Sequence, residues 1–123
     1  MGDPALYTCR LVFETDGRQS DARTVTFGIR EYGYEWHDGI FRLKINGEPV
    51  YVKGGNWGMS EWLLRCRGEE YDTRVALHRH MHFNMIRNWI GSTTDDEFYE
   101  ACDRYGIMVF DDFWLNSHPN LPD

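Results

Sequence analysis

The chain has 123 residues, of which 41% are hydrophobic and 27% charged, the composition of an ordinary globular protein rather than a disordered one. Its 20 Asp and Glu against 13 Lys and Arg give a net charge of -7. That charge repels a polyphosphate, so we expect no nucleic acid partner. No apolar run reaches the ~20 residues that cross a bilayer, so we expect no membrane partner either.

The cysteines and the aromatic residues are less decisive. Cys9, Cys66 and Cys102 are odd in number and widely spaced, which indicates neither a disulfide framework nor a zinc motif. We interpret all three as small apolar residues. Aromatic residues make up 15% of the chain, an excess that suits either a large core or a surface that stacks on sugar rings.

The first third of the chain predicts antiparallel strands. Apolar residues alternate with polar ones in LYTCRLVFE and again in RTVTFGIRE, the period-two pattern of half-buried strands. Asp16-Gly17 begins a polar loop between them, so the two strands form a hairpin. A two-stranded hairpin is marginal in water unless its apolar face meets another layer. The pattern therefore predicts a piece of a larger β-sandwich whose other strands precede Met1.

A second hairpin follows. FRLKI and PVYVK flank Asn46-Gly47, and an Asn-Gly pair between alternating strands is a strong hairpin signal because both turn positions need a positive φ. The segment from Gly33 to Gly39 predicts a linker between the hairpins. We place a domain boundary near Tyr34, so that residues 1–33 end one domain and residues 34–123 begin the next.

Helices and buried strands are predicted after the glycines at 54 and 55. Asp72 or Thr73 can cap a first helix, in which Val75, Leu77, His78 and Met81 recur at helical spacing. The next segment, FNMIRNWI, is short, apolar and rich in β-formers, as a buried parallel strand is.

A second helix and a further strand complete the pattern. Thr94 and Glu97 form a capping box and Gly106 stands at the C-cap position. The apolar stripe of this helix consists of Phe98, Ala101, Cys102 and Tyr105. IMVFDDFW then predicts another buried strand. Helices alternating with strands over short connections predict a parallel sheet of βαβ units.

Several of these segments resemble one family. The run GIFRLKINGEPVYVKGGNW resembles the start of the catalytic barrel of glycoside hydrolase family two, the family of β-galactosidases, β-mannosidases and β-glucuronidases. NMIRNWIGSTTDDEFYEACDRYGIMVFDDFW resembles its second strand, second helix and third strand, and GGNWGM and RNW are closest to the mannosidase and exo-glucosaminidase branch. GDPALYTCRLVFE and TFGIRE resemble the closing strands of the preceding immunoglobulin-like sandwich.

This resemblance implies an α/β fragment, with an antiparallel hairpin from an immunoglobulin-like sandwich followed by a hairpin and the first βαβαβ units of a (β/α)8 barrel. It also implies a retaining exo-β-glycosidase that hydrolyses terminal β-linked sugars without a cofactor. Its two catalytic glutamates are expected beyond Asp123. Because a complete barrel takes ~250 residues, we expect the 123-residue chain to be inactive and to self-associate through open strand edges.

Candidate site residues lie at predicted strand ends, where barrel enzymes hold their chemistry. Asp111 and Asp112 are neighbours on a strand and point to opposite faces, so they cannot flank one glycosidic bond. The resemblance assigns Asp112 a ligand contact, against the alternative of a solvated strand end. Arg87 interrupts an apolar strand, which is costly unless the charge is paired. It is either a structural ion pair with Asp112 or Asp111 or an active-site arginine, and the two interpretations are compatible.

Further candidates for substrate binding are Asn88 and Trp89 after Arg87, Asn56 and Trp57 at the end of the first barrel strand, and Trp114 at the end of the third. A tryptophan at a strand end can stack on the apolar face of a pyranose, but it is also a large core residue. Both interpretations stay open for each of the three tryptophans.

Three histidines raise the question of a metal. On a helix only His78 and His82 share a face, and no nearby carboxylate or cysteine completes a zinc motif. We expect no metal site. The leading functional hypothesis is thus a piece of a glycosidase that binds a terminal β-glycoside, periplasmic or secreted in the parent protein. The alternatives are a non-catalytic carbohydrate-binding module and a protein-interaction module.

Overall fold

A computed structural model describes residues 2–58, 66–89 and 95–113. The eight strands are Leu6–Thr15 (β1), Arg18–Gly28 (β2), Tyr32–His37 (β3), Ile40–Ile45 (β4), Glu48–Val50 (β5), Gly54–Trp57 (β6), Met85–Asn88 (β7) and Met108–Asp111 (β8). The two helices are Glu69–His80 (α1), between β6 and β7, and Asp96–Tyr105 (α2), between β7 and β8. The chain divides into two compact units, Met1–Val50 and Tyr51–Asp123. We call them the amino-terminal and carboxy-terminal units.

The amino-terminal unit holds two antiparallel sheets, β1-β2 and β3-β4-β5. The predicted first hairpin is confirmed, with Leu6 opposite Gly28 and Thr15 opposite Arg18. Its connection is tighter than the predicted polar loop, since β1 ends one residue before Asp16 and β2 begins one residue after Gly17. Both turn residues have positive φ, 51° and 71°, as a two-residue turn requires. The pairing register of the two strands shifts between Phe13 and Glu14, close to this turn.

The predicted linker from Gly33 to Gly39 is wrong. Most of it is β3, which pairs antiparallel with β4 from Tyr32 opposite Ile45 to His37 opposite Ile40. Asp38 and Gly39 form the turn, with φ of 50° and 75°. The Asn46-Gly47 turn is confirmed, with φ of 52° and 83°. Asp-Gly, like Asn-Gly, favours a two-residue hairpin turn because both positions need a positive φ. The prediction of a linker overlooked this turn sequence.

The carboxy-terminal unit is a βαβαβ arrangement. β6, β7 and β8 form a parallel sheet in that order, so each strand neighbours the next one in the chain, as the βαβ pattern predicts. The predicted stripe of α2 is confirmed: Phe98, Ala101 and Cys102 are buried, and Tyr105 is partly buried. Gly106 ends the helix in the left-handed conformation, φ 66°. Thr94, the other half of the predicted capping box, lies outside the described residues, and the N-cap is Asp95.

Helix α1 begins three residues before Asp72 and four before Thr73, so the predicted cap is wrong. Its N-cap is Gly68, at φ 54°, and no side chain caps it. Asp72 instead accepts hydrogen bonds from Tyr105, at 2.8 Å, and from Arg104, both on α2. An acidic residue inside the first turn is favoured by the helix dipole as well as at the cap, and here it also links the two helices.

One core holds the carboxy-terminal unit together. It is formed by side chains of the sheet and of both helices: Trp57, Cys66, Tyr71, Val75, Ile86, Phe98, Ala101, Cys102 and Ile107. Trp57 lies at its centre, with ring centroids 5.1 Å from Phe98 and 6.4 Å from Tyr71. The three parallel strands form no closed barrel within the described ranges. No helix in these ranges is long and apolar enough to cross a membrane.

Candidate functional site

The carboxyl ends of β6, β7 and β8 carry the candidate site. Asn56, Arg87 and Phe110 are in register across the three strands. Side chains alternate along a strand, so these three share one face and Asp112 follows Phe110 on it. The neighbouring row of Trp57, Asn88 and Asp111 belongs to the other face, which packs on the helices. We call these two sides the open face and the helix face.

Arg87 joins the three strands on the open face. Its Nε lies 3.0 Å from Asp112 Oδ1 and its Nη2 lies 2.7 Å from Asp112 Oδ2, a bidentate pair with the planar fit that guanidinium and carboxylate favour. Its Nη1 donates to Asn56 Oδ1 at 3.3 Å. The guanidinium therefore contacts β6 on one side and the residue after β8 on the other, and these contacts fix its plane.

The two side chains of this ion pair differ in exposure. The Arg87 side chain is 46% exposed, whereas that of Asp112 is 16% exposed. We predicted that Arg87 pairs with Asp112 or Asp111, and the ion pair with Asp112 is confirmed. To the described residues Arg87 donates through three N–H groups of the five that a guanidinium carries, so it can also contact a ligand.

Asp111 belongs to the helix face. Its Oδ1 accepts hydrogen bonds from Asn88 Nδ2 at 2.8 Å and from the Tyr99 hydroxyl at 3.2 Å. The prediction that Asp111 and Asp112 point to opposite faces is therefore confirmed, and the two carboxylates do not form a catalytic pair. Tyr99 was not a candidate, because it lies beside the apolar stripe of α2. Its signal in the sequence is weak: a tyrosine next to a core phenylalanine, twelve residues before Asp111.

The remaining predicted residues separate into three groups. Trp57 and Asn88 are on the helix face and buried, so their observed role is packing and hydrogen bonding, and a sugar contact by either stays a prediction. Trp89, directly after β7, is about half exposed. Trp114 lies outside the described residues. The open face thus brings together Asn56, Arg87 and Asp112.

The histidine segment is not one continuous helix. α1 ends at His80, and His82 follows it at φ 60°, so His78 and His82 do not share a helix face. The His78 ring lies 5.6 Å from that of Trp57, and its Nδ1 is 2.8 Å from the carbonyl oxygen of Arg74. In the part of the chain that the structure describes, no three His, Cys, Asp or Glu side chains are grouped as metal ligands are.

Parallel strands in consecutive order, covered by helices and carrying polar side chains at their carboxyl ends, are the arrangement found in β/α-barrel enzymes. Comparison with known proteins makes the assignment specific. The chain is 38% identical to mannosylglycoprotein endo-β-mannosidase of Lilium longiflorum, over 99% of the chain and 14% of that protein. It is 35% identical to exo-β-D-glucosaminidase of Hypocrea jecorina, over 88% of the chain and 12% of that protein.

Solved structures agree. β-D-Mannosidase of Dictyoglomus thermophilum superposes with a TM-score of 0.76 and 37% identity, over 92% of this chain and 15% of that one. Exo-chitosanase of Amycolatopsis orientalis gives a TM-score of 0.78 at 24% identity, over 89% of this chain and 13% of that one, and shares the fold. No protein-family profile matches the chain. The chain belongs to glycoside hydrolase family two and is β-mannosidase-like, and it spans about one-seventh of the length of these relatives.

Proposed function

We propose that the chain is a piece of a longer retaining exo-β-glycosidase that hydrolyses terminal β-linked mannose or glucosamine. In this proposal residues 1–33 end an immunoglobulin-like sandwich, and residues 34–123 begin a (β/α)8 barrel. The order of the parallel strands supports it, since consecutive neighbours are how such a barrel starts. The relatives support a β-glycoside as the ligand: their names are β-mannosidases and exo-β-D-glucosaminidases, with one endo-β-mannosidase among them.

The single observation that carries the proposal is the polar cluster on the open face. A bidentate guanidinium–carboxylate pair at the carboxyl ends of parallel strands can donate to one sugar hydroxyl and accept from another. Arg87 supplies the donors, and Asp112 and Asn56 supply acceptors. Phe110 and Trp89, each about half exposed, add aromatic surface of the kind that packs on a pyranose. These side chains bind and orient, while the two catalytic glutamates are expected beyond Asp123.

A segment exchange tests the proposal. The matching segment of the Dictyoglomus thermophilum β-mannosidase is replaced by this chain, and hydrolysis of p-nitrophenyl β-D-mannoside and β-D-glucosaminide is measured. We expect Arg87→Ala to lower kcat/KM on the preferred substrate about 100-fold, since it removes charge-assisted hydrogen bonds worth about 1.5–3 kcal/mol each. The matched control is Arg74→Ala, which breaks an exposed pair with Glu70 on α1 and should change kcat/KM less than about twofold.

Two results would count against this function. If Arg87→Ala and Arg74→Ala have the same kcat/KM in a folded exchange protein, the open face does not bind the substrate. If the exchange protein does not fold, the 123-residue chain is titrated with methyl β-D-mannoside and methyl β-D-glucosaminide and followed by NMR. If the signals of Asn56, Arg87 and Asp112 do not change up to the highest sugar concentration, the site is refuted.

The isolated chain should show no turnover, because a barrel needs ~250 residues to close. Hydrolysis of an aryl β-glycoside by the pure 123-residue protein, above that of a mock preparation, would contradict this. We also propose that the isolated chain self-associates through strand edges and apolar sheet faces. Sedimentation velocity over a range of concentrations measures it, and a single monomeric species throughout would exclude it.

A second function is favoured by a different observation. Tyr34, Trp36 and Phe41 form an exposed aromatic cluster on β3 and β4, with centroids 5.9 Å apart for Tyr34–Phe41 and 5.4 Å for Trp36–Phe41. Such a surface suits a non-catalytic carbohydrate-binding or protein-interaction module. Retention of the chain on insoluble mannan or chitosan, lost in Trp36→Ala and kept in Arg87→Ala, would favour the carbohydrate-binding module over the glycosidase.

A further inference from the structure

Two polar bridges join β7 to the end of β8, one on each face of the sheet. Arg87 bonds to Asp112 on the open face, and the next residue of β7, Asn88, bonds to Asp111 on the helix face. The backbone N–H of Asp112 donates to the carbonyl of Asn88 at 3.3 Å. The two bridges are therefore coupled through the backbone. A shift of Asn88 moves its neighbour Arg87, and a shift of Asp111 moves its neighbour Asp112.

The bridge on the helix face connects the buried end of β7 to helix α2 through Asp111, whose own side chain is exposed. Asn88 is fully buried, and a buried amide that loses its partner costs more than an exposed one. Asp111 Oδ1 accepts from both Asn88 and Tyr99, and Tyr99 is carried by α2. Its ring also packs edge-on against Phe98, with centroids 5.2 Å apart. The position of α2, fixed by the core, is thus transmitted to the end of β8.

We propose that Tyr99 is a positioning residue: its hydroxyl, through Asp111 and Asn88, holds the ends of β7 and β8 so that Arg87 and Asp112 meet in bidentate geometry on the open face. The relevance of that geometry to a sugar rests on the function proposed above, but the geometry itself does not. Burial and the neighbouring Asp111 carboxylate raise the pKa of Tyr99, so the hydroxyl is a hydrogen-bond donor throughout the neutral range.

The chain offers a matched control on the same helix. The hydroxyl of Tyr105 also donates to an aspartate, Asp72 Oδ2, at 2.8 Å. That aspartate lies on helix α1 and not at the end of a strand. Tyr99→Phe and Tyr105→Phe each delete one tyrosine–carboxylate hydrogen bond and keep the ring. A merely stabilising role for Tyr99 predicts that the two variants behave alike, whereas a positioning role predicts that only Tyr99→Phe affects Arg87.

The test measures the Arg87 Nε–Hε group by NMR in the 123-residue chain. In the wild type we expect a distinct cross-peak with slow hydrogen exchange, which Asp112→Asn weakens and thereby identifies. Tyr99→Phe should speed that exchange at least about fivefold, and Tyr105→Phe should leave it within about twofold. Urea midpoints report the stability of each variant. Equal exchange in Tyr99→Phe and the wild type overturns the proposal, as does a wild-type Arg87 group that exchanges as fast as a free arginine.

The hybrid enzyme, in which this chain replaces the matching segment of Dictyoglomus thermophilum β-mannosidase, separates this inference from the proposed function. There Tyr99→Phe should lower kcat/KM about fivefold to tenfold and Tyr105→Phe less than about twofold. If Tyr99→Phe both lowers kcat/KM and speeds the hydrogen exchange of Arg87, both proposals are supported. If Tyr99→Phe speeds the hydrogen exchange of Arg87 while Arg87→Ala leaves kcat/KM unchanged, the positioning role of Tyr99 is supported and the sugar site is refuted. If Tyr99→Phe leaves the hydrogen exchange of Arg87 unchanged while Arg87→Ala lowers kcat/KM, the sugar site is supported and the positioning role of Tyr99 is refuted.

Discussion

The two compact units both contain β-sheets, but the burial of their apolar side chains is very different. In the amino-terminal unit, β1 and β2 place apolar residues on one face in alternation, yet Phe13 is 67% exposed and no described residue there is buried. In the carboxy-terminal unit, Phe98 and Ile86 are fully buried. The difference is the second layer: two helices cover one face of β6-β7-β8, and nothing within the amino-terminal unit covers its sheets.

This comparison teaches that alternation specifies a strand and a face but not a core. A hairpin turn with positive φ at both positions sets the register of β3-β4, whereas in β1-β2 it sets only the pairs next to the turn, because the register shifts between Phe13 and Glu14. Burial contributes about 25 cal/mol per Å² of apolar surface, and that contribution needs an opposing layer. We therefore expect the stability of the described chain to be concentrated in the carboxy-terminal unit, and three experiments can break or sharpen that expectation.

The largest effect is expected from truncating a core ring. Phe98→Ala should lower the free energy of unfolding by about 3–5 kcal/mol, because the side chain is fully buried between Trp57 and Tyr71 and leaves a cavity. The matched control is Phe41→Ala in β4, where the ring is 53% exposed, and it should cost less than about 1 kcal/mol. Urea unfolding followed by circular dichroism at 222 nm measures both. Similar costs would mean that the amino-terminal unit has a core of its own.

A smaller effect is expected at the start of the parallel sheet. A Cβ at Gly54 would lie 1.9 Å from the carbonyl oxygen of Met85, whereas one at Gly55 would meet nothing within 4 Å. Gly54→Ala must separate β6 from β7 and should cost about 3 kcal/mol, while Gly55→Ala should be neutral or slightly stabilising. In the amino-terminal unit, Gly33→Ala should be tolerated, since its nearest neighbour would be Lys44 Cβ at 3.6 Å. A tolerated Gly54→Ala would contradict the close approach of these two strands.

The smallest effect is a dependence on pH. Burial raises the pKa of Cys102 from 9.0 to about 12, so between these values the unfolded state loses a proton that the folded state keeps. Stability from this thiol is complete below pH 9 and falls as the pH rises toward 12. Between pH 8 and pH 10.5 the wild type should lose about 2 kcal/mol more than Cys102→Ala. Urea midpoints at the two pH values measure the difference, and parallel losses would show that Cys102 is not held in the core.

The sequence predicted part of the polar cluster on the open face. Arg87 was recognisable as a charge within an apolar strand, and Asp112 as a carboxylate at a strand end, and the structure joins them. Trp57 and Asn88 were equally good candidates by position, but they point to the helix face. A shift of one residue along a strand reverses the face, and the exact end of a short strand is not determined by its own residues.

The turns at Asp16-Gly17 and Asn46-Gly47, the parallel order of β6, β7 and β8, and the buried stripe of α2 followed from local sequence, because turn geometry and apolar periodicity are properties of neighbouring residues. Only the tertiary structure decided that Asp72 links two helices rather than capping one, and that Tyr99 bonds to Asp111. These contacts join residues of separate elements, and their partners are chosen by how helices pack on the sheet, which no local pattern specifies.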